Sequence, residues 1–223
     1  MGTSPSSTDA ATGTGELSGT ERTRIRRLPE RAASDRTDLY AVLDAGRICH
    51  LGVIVNGSPR VVPTGYGRIE DTLYLHGSTG ATSLRAEDEI CVTVTHLDAL
   101  VLARSLFHHS MNYRSAMIYG RPRTVTAPEE KLAGLRAVVE QLTPGRWDLA
   151  RQPNRKELAA TTLLALPLTE ASVKIRTGPP GDEEEDYALD VWAGEVPIVS
   201  AFGAPVPDPR LRPGLQCELP HNR

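Results

Sequence analysis

The 223-residue chain carries a formal charge of −3 and a pI near 6.1; non-specific nucleic-acid affinity needs clustered Lys and Arg against phosphates, so no nucleic-acid partner is expected. Its three cysteines, Cys49, Cys91 and Cys217, stand far apart without a CxxC pair, which fits a reducing cytoplasm better than a disulfide framework or a zinc site. No run approaches the roughly 18 apolar residues of a membrane span, and the N-terminus lacks the basic and apolar regions of a signal peptide, so a soluble cytoplasmic protein with one core and no membrane partner is expected.

Residues Met1 to about Thr20 are Ser, Thr, Gly and Ala with almost nothing to bury. They predict a disordered tail ending by residue 22, followed by a folded domain over 23–200. The basic stretch ERTRIRRLPER (Glu21 to Arg31) reads as a solvated or intersubunit arm. A helix follows, capped by Ser34 or Asp35, with Leu39, Val42 and Leu43 on one face and Gly46 at its end.

Strands come next. RICHLGVIV and RVVPTGYG flank the turn NGSP and predict a hairpin. In TLYLHG, Leu73 and Leu75 alternate with Thr72, Tyr74 and His76; in EICVTVT, Ile90, Val92 and Val94 alternate with Cys91, Thr93 and Thr95. ALVLARSL (Ala99 to Leu106) and YRSAMIYGRPRTV (Tyr113 to Val125) predict two further strands joined by HHSMN. The strongest helix is TAPEEKLAGLRAVVEQL, with Thr126 as N-cap, Glu129 completing a capping box, and Leu132, Leu135, Val139 and Leu142 at helical spacing. A short helix over Lys156 to Ala160, a strand from Thr162 and another in SVKIRTG follow; residues 201–223 form a Pro-rich extended tail. Strand-rich segments on both sides of one long helix predict a mainly β (α+β) protein, an antiparallel barrel with peripheral helices.

The loop HGSTGATS (His76 to Ser83) offers glycines, hydroxyls and free backbone N–H groups that could cradle a phosphate, although it is neither a Walker loop nor a GxGxxG fingerprint. An ordinary Gly/Ser loop has the same composition. No metal site is expected, because the adjacent side chains of His108 and His109 diverge and no Asp, Glu or Cys completes a ligand set nearby. Ser110 lies in no GxSxG elbow, which argues against a hydrolase.

RVVPTGYGRIEDTLYLHGSTGATSL followed by VTVTHLDALVLARSLFHHSMNYRSAMIYG, and the later PGRWDLARQPNRKELAATTLLALPLTEASVKIRTGPPGDEEED, resemble the pyridoxamine 5′-phosphate oxidase-like, FMN-binding split-barrel superfamily. Within it, the flavin-nucleotide-binding branch with nitroimidazole reductase-like proteins is the nearest in pattern. The resemblance spans roughly Arg24 to Pro197 and rests on the order of the segments.

It implies a six-stranded split barrel, a homodimer, and FMN in a groove at the dimer interface. By position, Arg60 would lie near the phosphate and Val61, Val62, Pro63 and Thr64 along the flavin. His76, Gly77, Ser78, Thr79, Thr82 and Ser83 would hold the ribityl chain and phosphate. Thr82 and Ser83 stand where the oxidases that name the superfamily carry a basic pair, a charge that Arg60 and Arg85 could replace. Ser115 would face the flavin, with Asn112, Tyr113 and Arg114 where the hairpin meets the cofactor or the partner subunit.

The leading expectation is an FMN-dependent oxidoreductase passing hydride or electrons from NAD(P)H to a small-molecule acceptor, with His76 as the candidate catalytic side chain. A haem-handling split barrel with a histidine such as His109 as axial ligand, a non-catalytic flavin-binding module, and F420 in place of FMN are the alternatives.

Overall fold

The computed structural model describes residues 15–17, 19–81 and 89–217. In chain order these form β1 (Ala32–Ala33), α1 (Arg36–Ala45), β2 (Ile48–Val55), β3 (Ser58–Ile69), β4 (Thr72–Ser78), β5 (Ile90–Leu102), β6 (Ser110–Gly120), β7 (Arg123–Thr124), α2 (Pro128–Leu142), α3 (Arg146–Leu149), α4 (Arg155–Ala160), β8 (Thr161–Pro167), β9 (Glu170–Arg176) and β10 (Gly194–Pro197). The strands make one ten-stranded antiparallel sheet in the order β1-β9-β6-β5-β2-β3-β4-β8-β7, with β10 on the free flank of β5. The sheet curls around its core without closing, which is the split barrel read from the sequence, with more strands than the six expected.

Local chemistry explains most boundaries. Asn56 and Gly57 take positive φ, 52° and 75°, and close the β2–β3 hairpin with Val55 opposite Ser58. That is the geometry two-residue hairpin turns favour. The Asp35 side chain accepts the Thr37 N–H at 2.8 Å to start α1, and Gly46 ends it.

At α2 the expected Thr126 capping box does not form. Ala127 is the N-cap with no side-chain bond, and Pro128 occupies the first helical position, where its fixed φ and missing N–H cost nothing. The start therefore moves one residue along and takes Glu129 out of register with Thr126. A capping box does form at α4, between Asn154 and Glu157.

One expected break is absent. EICVTVT and ALVLARSL run together as β5, a single strand that passes through a bulge between Leu97 and Ala99. Asp98, at the bulge, receives two hydrogen bonds from Arg114 at 2.8 and 3.0 Å, and its carbonyl accepts from Ile198 N–H. The extra residue is thus satisfied in place and the strand continues.

Two cores result. Inside the curl, Leu51, Tyr66, Leu73, Leu75, Val92, Ile118, Leu164 and Leu166 meet Leu39, Val42 and Leu43 of α1. Outside it, α2 covers the opposite face of β4 and β8, burying Tyr74, Val125, Val138, Leu163 and Ala165. β8 is consequently buried on both faces, which is why Leu163 to Leu166 is an unbroken apolar run.

The ends of the folded region differ from the sequence reading. Two residues assigned to the tail are tied down: Leu17 donates its N–H to Ser34 at 2.7 Å and packs against the inner core, and Arg22 pairs with Glu89 and Glu170. One leucine and one arginine outweigh a composition that otherwise reads as disordered. Beyond β10, the chain to residue 217 forms no further helix or strand and turns at 209–210 and 213–214, and Phe202 returns to lie under the Arg47 guanidinium, 4.7 Å from the ring centre.

Candidate functional site

The outer face of the curl, opposite the inner core, is where the predicted site residues divide. Along β3 the odd-numbered residues Val61, Pro63, Gly65 and Gly67 point outward, since Tyr66 between them is fully buried in the inner core. Gly65 and Gly67 lie under α2, where a Cβ would meet Leu142 and the backbone of Ala137 and Val138. Beyond the helix, Val61 (69 % exposed) and Pro63 form the side of a shallow trough.

Strand pairing supplies the floor. His50 stands between Pro63 and Thr93, Thr93 opposite Met117, Gly52 between Val61 and Cys91, and Thr95 opposite Ser115. The Thr95 and Ser115 hydroxyls are 3.3 Å apart. At one end the trough deepens into a depression of about 290 Å³ lined by Arg22, Gly52, Arg60, Val61, Cys91 and Tyr119. Small and hydroxyl residues in the middle and apolar side chains at the edges suit a flat conjugated ring.

The other predicted residues are placed differently. Val62 and Thr64 are half-buried and turned away from the trough, and Gly77 likewise alternates away from His76 and Ser78. Asn112 is buried and fully engaged: its amide donates to Gly178 O at 3.2 Å and to Glu195, and its carbonyl accepts from Arg176. It ties β6 to the segments after β9. Arg114 is spent on Asp98, and Tyr113 lies on the outer face opposite Leu97.

In the predicted phosphate loop, the N–H groups of Thr79, Gly80 and Ala81 are already bonded, to Ala160 O, Ser78 Oγ and Ser78 O at 3.2, 3.2 and 2.9 Å. The expectation of free N–H donors is corrected for these three. Ser78 and Thr79 are exposed and can offer hydroxyl protons. Thr82, Ser83 and Arg85 lie outside the described residues.

His76 faces a second feature. On the same outer face, beside α2, an open pocket of about 400 Å³ is lined by Leu135, Val138, Val139 and Leu142 of α2, Trp147 of α3 and the segment 150–153, with His76 and Thr161 at the sheet side. Its inner wall is apolar; Arg151 and Glu157 at the edge pair with each other at 2.6 Å. The Nδ1 of His76 is buried there with no hydrogen-bond partner among the described residues. Burial pushes the His76 pKa below its ordinary value, so the ring is neutral with a free lone pair near pH 7.

The cavity wall was not identified from the sequence. The spacing of Leu135, Val139 and Leu142 was read as helix core, and only the fold shows that this stripe reaches past β4 to face Trp147. The histidine pair does not form a site: His109 is exposed, with Nδ1 3.1 Å from Ser105 O, and His108 packs edge-on against the Phe107 ring at 5.2 Å. Cys49 is no nucleophile, since burial pushes its thiol up to about 12.

Comparison with known proteins fits this geometry. The structure of the flavocytochrome Anf3 from Azotobacter vinelandii is 39 % identical, matching 90 % of this chain and 95 % of that one with a TM-score of 0.85. The FAD and haem binding protein from Mycobacterium smegmatis is 38 % identical over 84 % of this chain and 93 % of that one, with a TM-score of 0.79. A candidate 5-nitroimidazole antibiotic resistance protein from Bacteroides thetaiotaomicron, 22 % identical over 65 % of this chain and 86 % of that one, shares the fold with a TM-score of 0.56. No curated protein matches. The family model for pyridoxamine 5′-phosphate oxidase matches residues 35–175, from the N-cap of α1 to the end of β9, and the chain belongs to that split-barrel family.

Proposed function

We propose that this protein is a redox protein that holds a flavin nucleotide in the outer trough and a haem in the cavity beside α2. The observation that carries the reading is that trough and cavity lie on one face of the sheet and share β3: Pro63 borders the trough, and Gly65, two residues on, lies against Leu142 of the cavity wall. The descriptions of the two relatives near 40 % identity, one a flavocytochrome and one a FAD and haem binding protein, support the same pair of ligands.

The residues present fit both groups. For a flavin, Val61, Pro63 and Met117 supply apolar contact, and Thr95 and Ser115 supply hydroxyls within one strand pair. For a haem, the cavity supplies an apolar wall and one unengaged imidazole. When bound, a flavin exchanges hydride or single electrons and a haem single electrons, so the chain needs no acid–base triad. Its task is to hold the two groups close, keep water from the cavity and orient the flavin edge.

A second copy of the chain completes the reading. Ile48, Ile54, Val61, Leu97 and Met117 are 37–69 % exposed on the trough face, a row of apolar side chains that a homodimer would cover together with the flavin. The test is the visible spectrum of the purified protein with mass identification of what denaturation releases. Flavin and haem in the same preparation are expected; a colourless protein that takes up neither added FAD nor added haemin overturns the proposal.

A further inference from the structure

We infer that His76 is an axial ligand to the haem iron, placing the haem in the cavity between β4, α2 and α3. This rests on the reading above that the chain holds a haem at all, and adds where the iron sits and which residue binds it.

Five of the histidines fall within the described residues, and their surroundings differ. His96 is committed through Nε2 to Val42 O at 2.9 Å. His109 is exposed on the β5–β6 connection, and His108 stands beside it with Nε2 3.7 Å from Glu183; neither borders the cavity or the trough. His50 is exposed on the open sheet face. His76 alone among these five lines the largely apolar pocket beside α2, and its ring makes no hydrogen bond to any described residue.

The Nδ1 of His76 is covered by protein, so an iron in the pocket would meet the other ring nitrogen, Nε2, which no described residue engages. Neutral imidazole is the form that binds iron. The His76 backbone is rigid, since β4 pairs with β8 at His76 and Leu163, so the ring is carried by sheet rather than loop. The apolar side chains of Leu135, Val139 and Trp147 facing it provide contact for a macrocycle and exclude water.

The place of His76 also joins the two halves of the molecule. It is two residues before Ser78, on the same face of the same strand, so the group it holds lies next to the loop predicted to meet the flavin phosphate. The expectation that assigned an axial role to His109 is replaced by this one, because His109 has no cavity in front of it.

The experiment uses the full chain freed of haem and titrated with haemin, followed by the Soret band, the low-temperature EPR spectrum and haem stoichiometry, with flavin content measured in parallel. Wild type should take up one haem per chain. His76→Gly should bind haemin at least tenfold more weakly or with an altered EPR signature, and added imidazole should restore the wild-type signature. Val139→Trp, which fills the cavity from α2 and leaves the imidazole intact, should also lose haem; His109→Ala should behave as wild type.

Wild-type spectrum and affinity in His76→Gly, full haem content in Val139→Trp, or loss of haem in His109→Ala each overturns the assignment while leaving a haem protein. A wild-type protein that binds flavin and refuses haemin overturns the haem reading itself. Should His76→Gly fail to fold, the decision passes to Val139→Trp, where retained haem refutes the site and lost haem supports it.

Discussion

Gly67 lies directly beneath Ala137: a Cβ built on Gly67 would stand 2.4 Å from the Ala137 carbonyl carbon and equally close to the Val138 nitrogen. The obstacle is helix backbone, which cannot rotate away as a side chain can. This close approach lets α2 cover Tyr74 and Leu163 and present Val139 and Leu142 to the cavity. Gly67→Ala should therefore lift the helix off the sheet, at a cost of about 3 kcal/mol, the upper part of the usual range for overpacking. Urea unfolding measures it, and a loss below about 0.5 kcal/mol would show that α2 moves freely.

The N-terminal segment gives a pH-dependent prediction. Arg22 donates to Glu170 Oε1 at 2.7 Å and Thr20 donates to the same oxygen at 2.6 Å; led by the Arg22 bond, they hold the Glu170 carboxyl at about 2 against an ordinary 4.5. With the folded pKa depressed, the unfolded chain takes up the proton first. The stabilisation is complete above 4.5 and is lost as pH falls from 4.5 toward 2. The stability difference between wild type and Glu170→Gln should be constant near neutrality and shrink through that window. A difference that does not change with pH would mean that the ion pair contributes nothing.

Charge placed on the trough face should separate the protomers. Val61→Asp puts a carboxylate among Ile48, Ile54 and Met117, which a dimer would bury. An unpaired charge in an apolar interface is strongly disfavoured, so the dissociation constant of the proposed dimer should rise by about tenfold or more in light scattering, with loss of flavin. Leu132→Asp, on the solvent side of α2 at 40 % exposure, serves as the control and should remain dimeric. Two dimers, or two monomers, would place the interface elsewhere.

The phosphate end of the flavin can be tested at Ser78 and Thr79. Because the neighbouring N–H groups are internally bonded, these two residues can reach a phosphate only through their hydroxyls. Replacing both with Asp sets like charges against the phosphate, each contact costing about 1 kcal/mol even in water. Affinity for FMN and FAD should fall by about tenfold, and riboflavin, without a phosphate, should be affected much less. Equal weakening of all three would remove this loop from the phosphate site.

Local rules determined much of this protein from its sequence. Period-two alternation placed Leu73, Leu75, Val92 and Val94 in the inner core, Asn56 and Gly57 set the first hairpin, and Asp35 set the start of α1, because each depends on residues within a few positions. The order of segments carried the family; of the four β3 residues it set along the flavin, Val61 and Pro63 stand on the outer face and Val62 and Thr64 on the other.

What the sequence could not decide were relations between distant segments. Thr72, Tyr74 and His76 read as one polar strand face; whether that face meets water, a helix or a ligand depends on α2, more than fifty residues later, landing on Gly65 and Gly67. The same packing buried Tyr74, left His76 facing a cavity, and turned a helix-core stripe into that cavity's wall. Asn112 and Arg114, polar residues in a strand predicted to meet the cofactor, found partners in Arg176, Glu195 and Asp98, and Leu17 found the core. Burial and pairing across a chain are properties of three-dimensional proximity, and only the tertiary structure distinguishes a polar side chain that is already satisfied from one still able to bind.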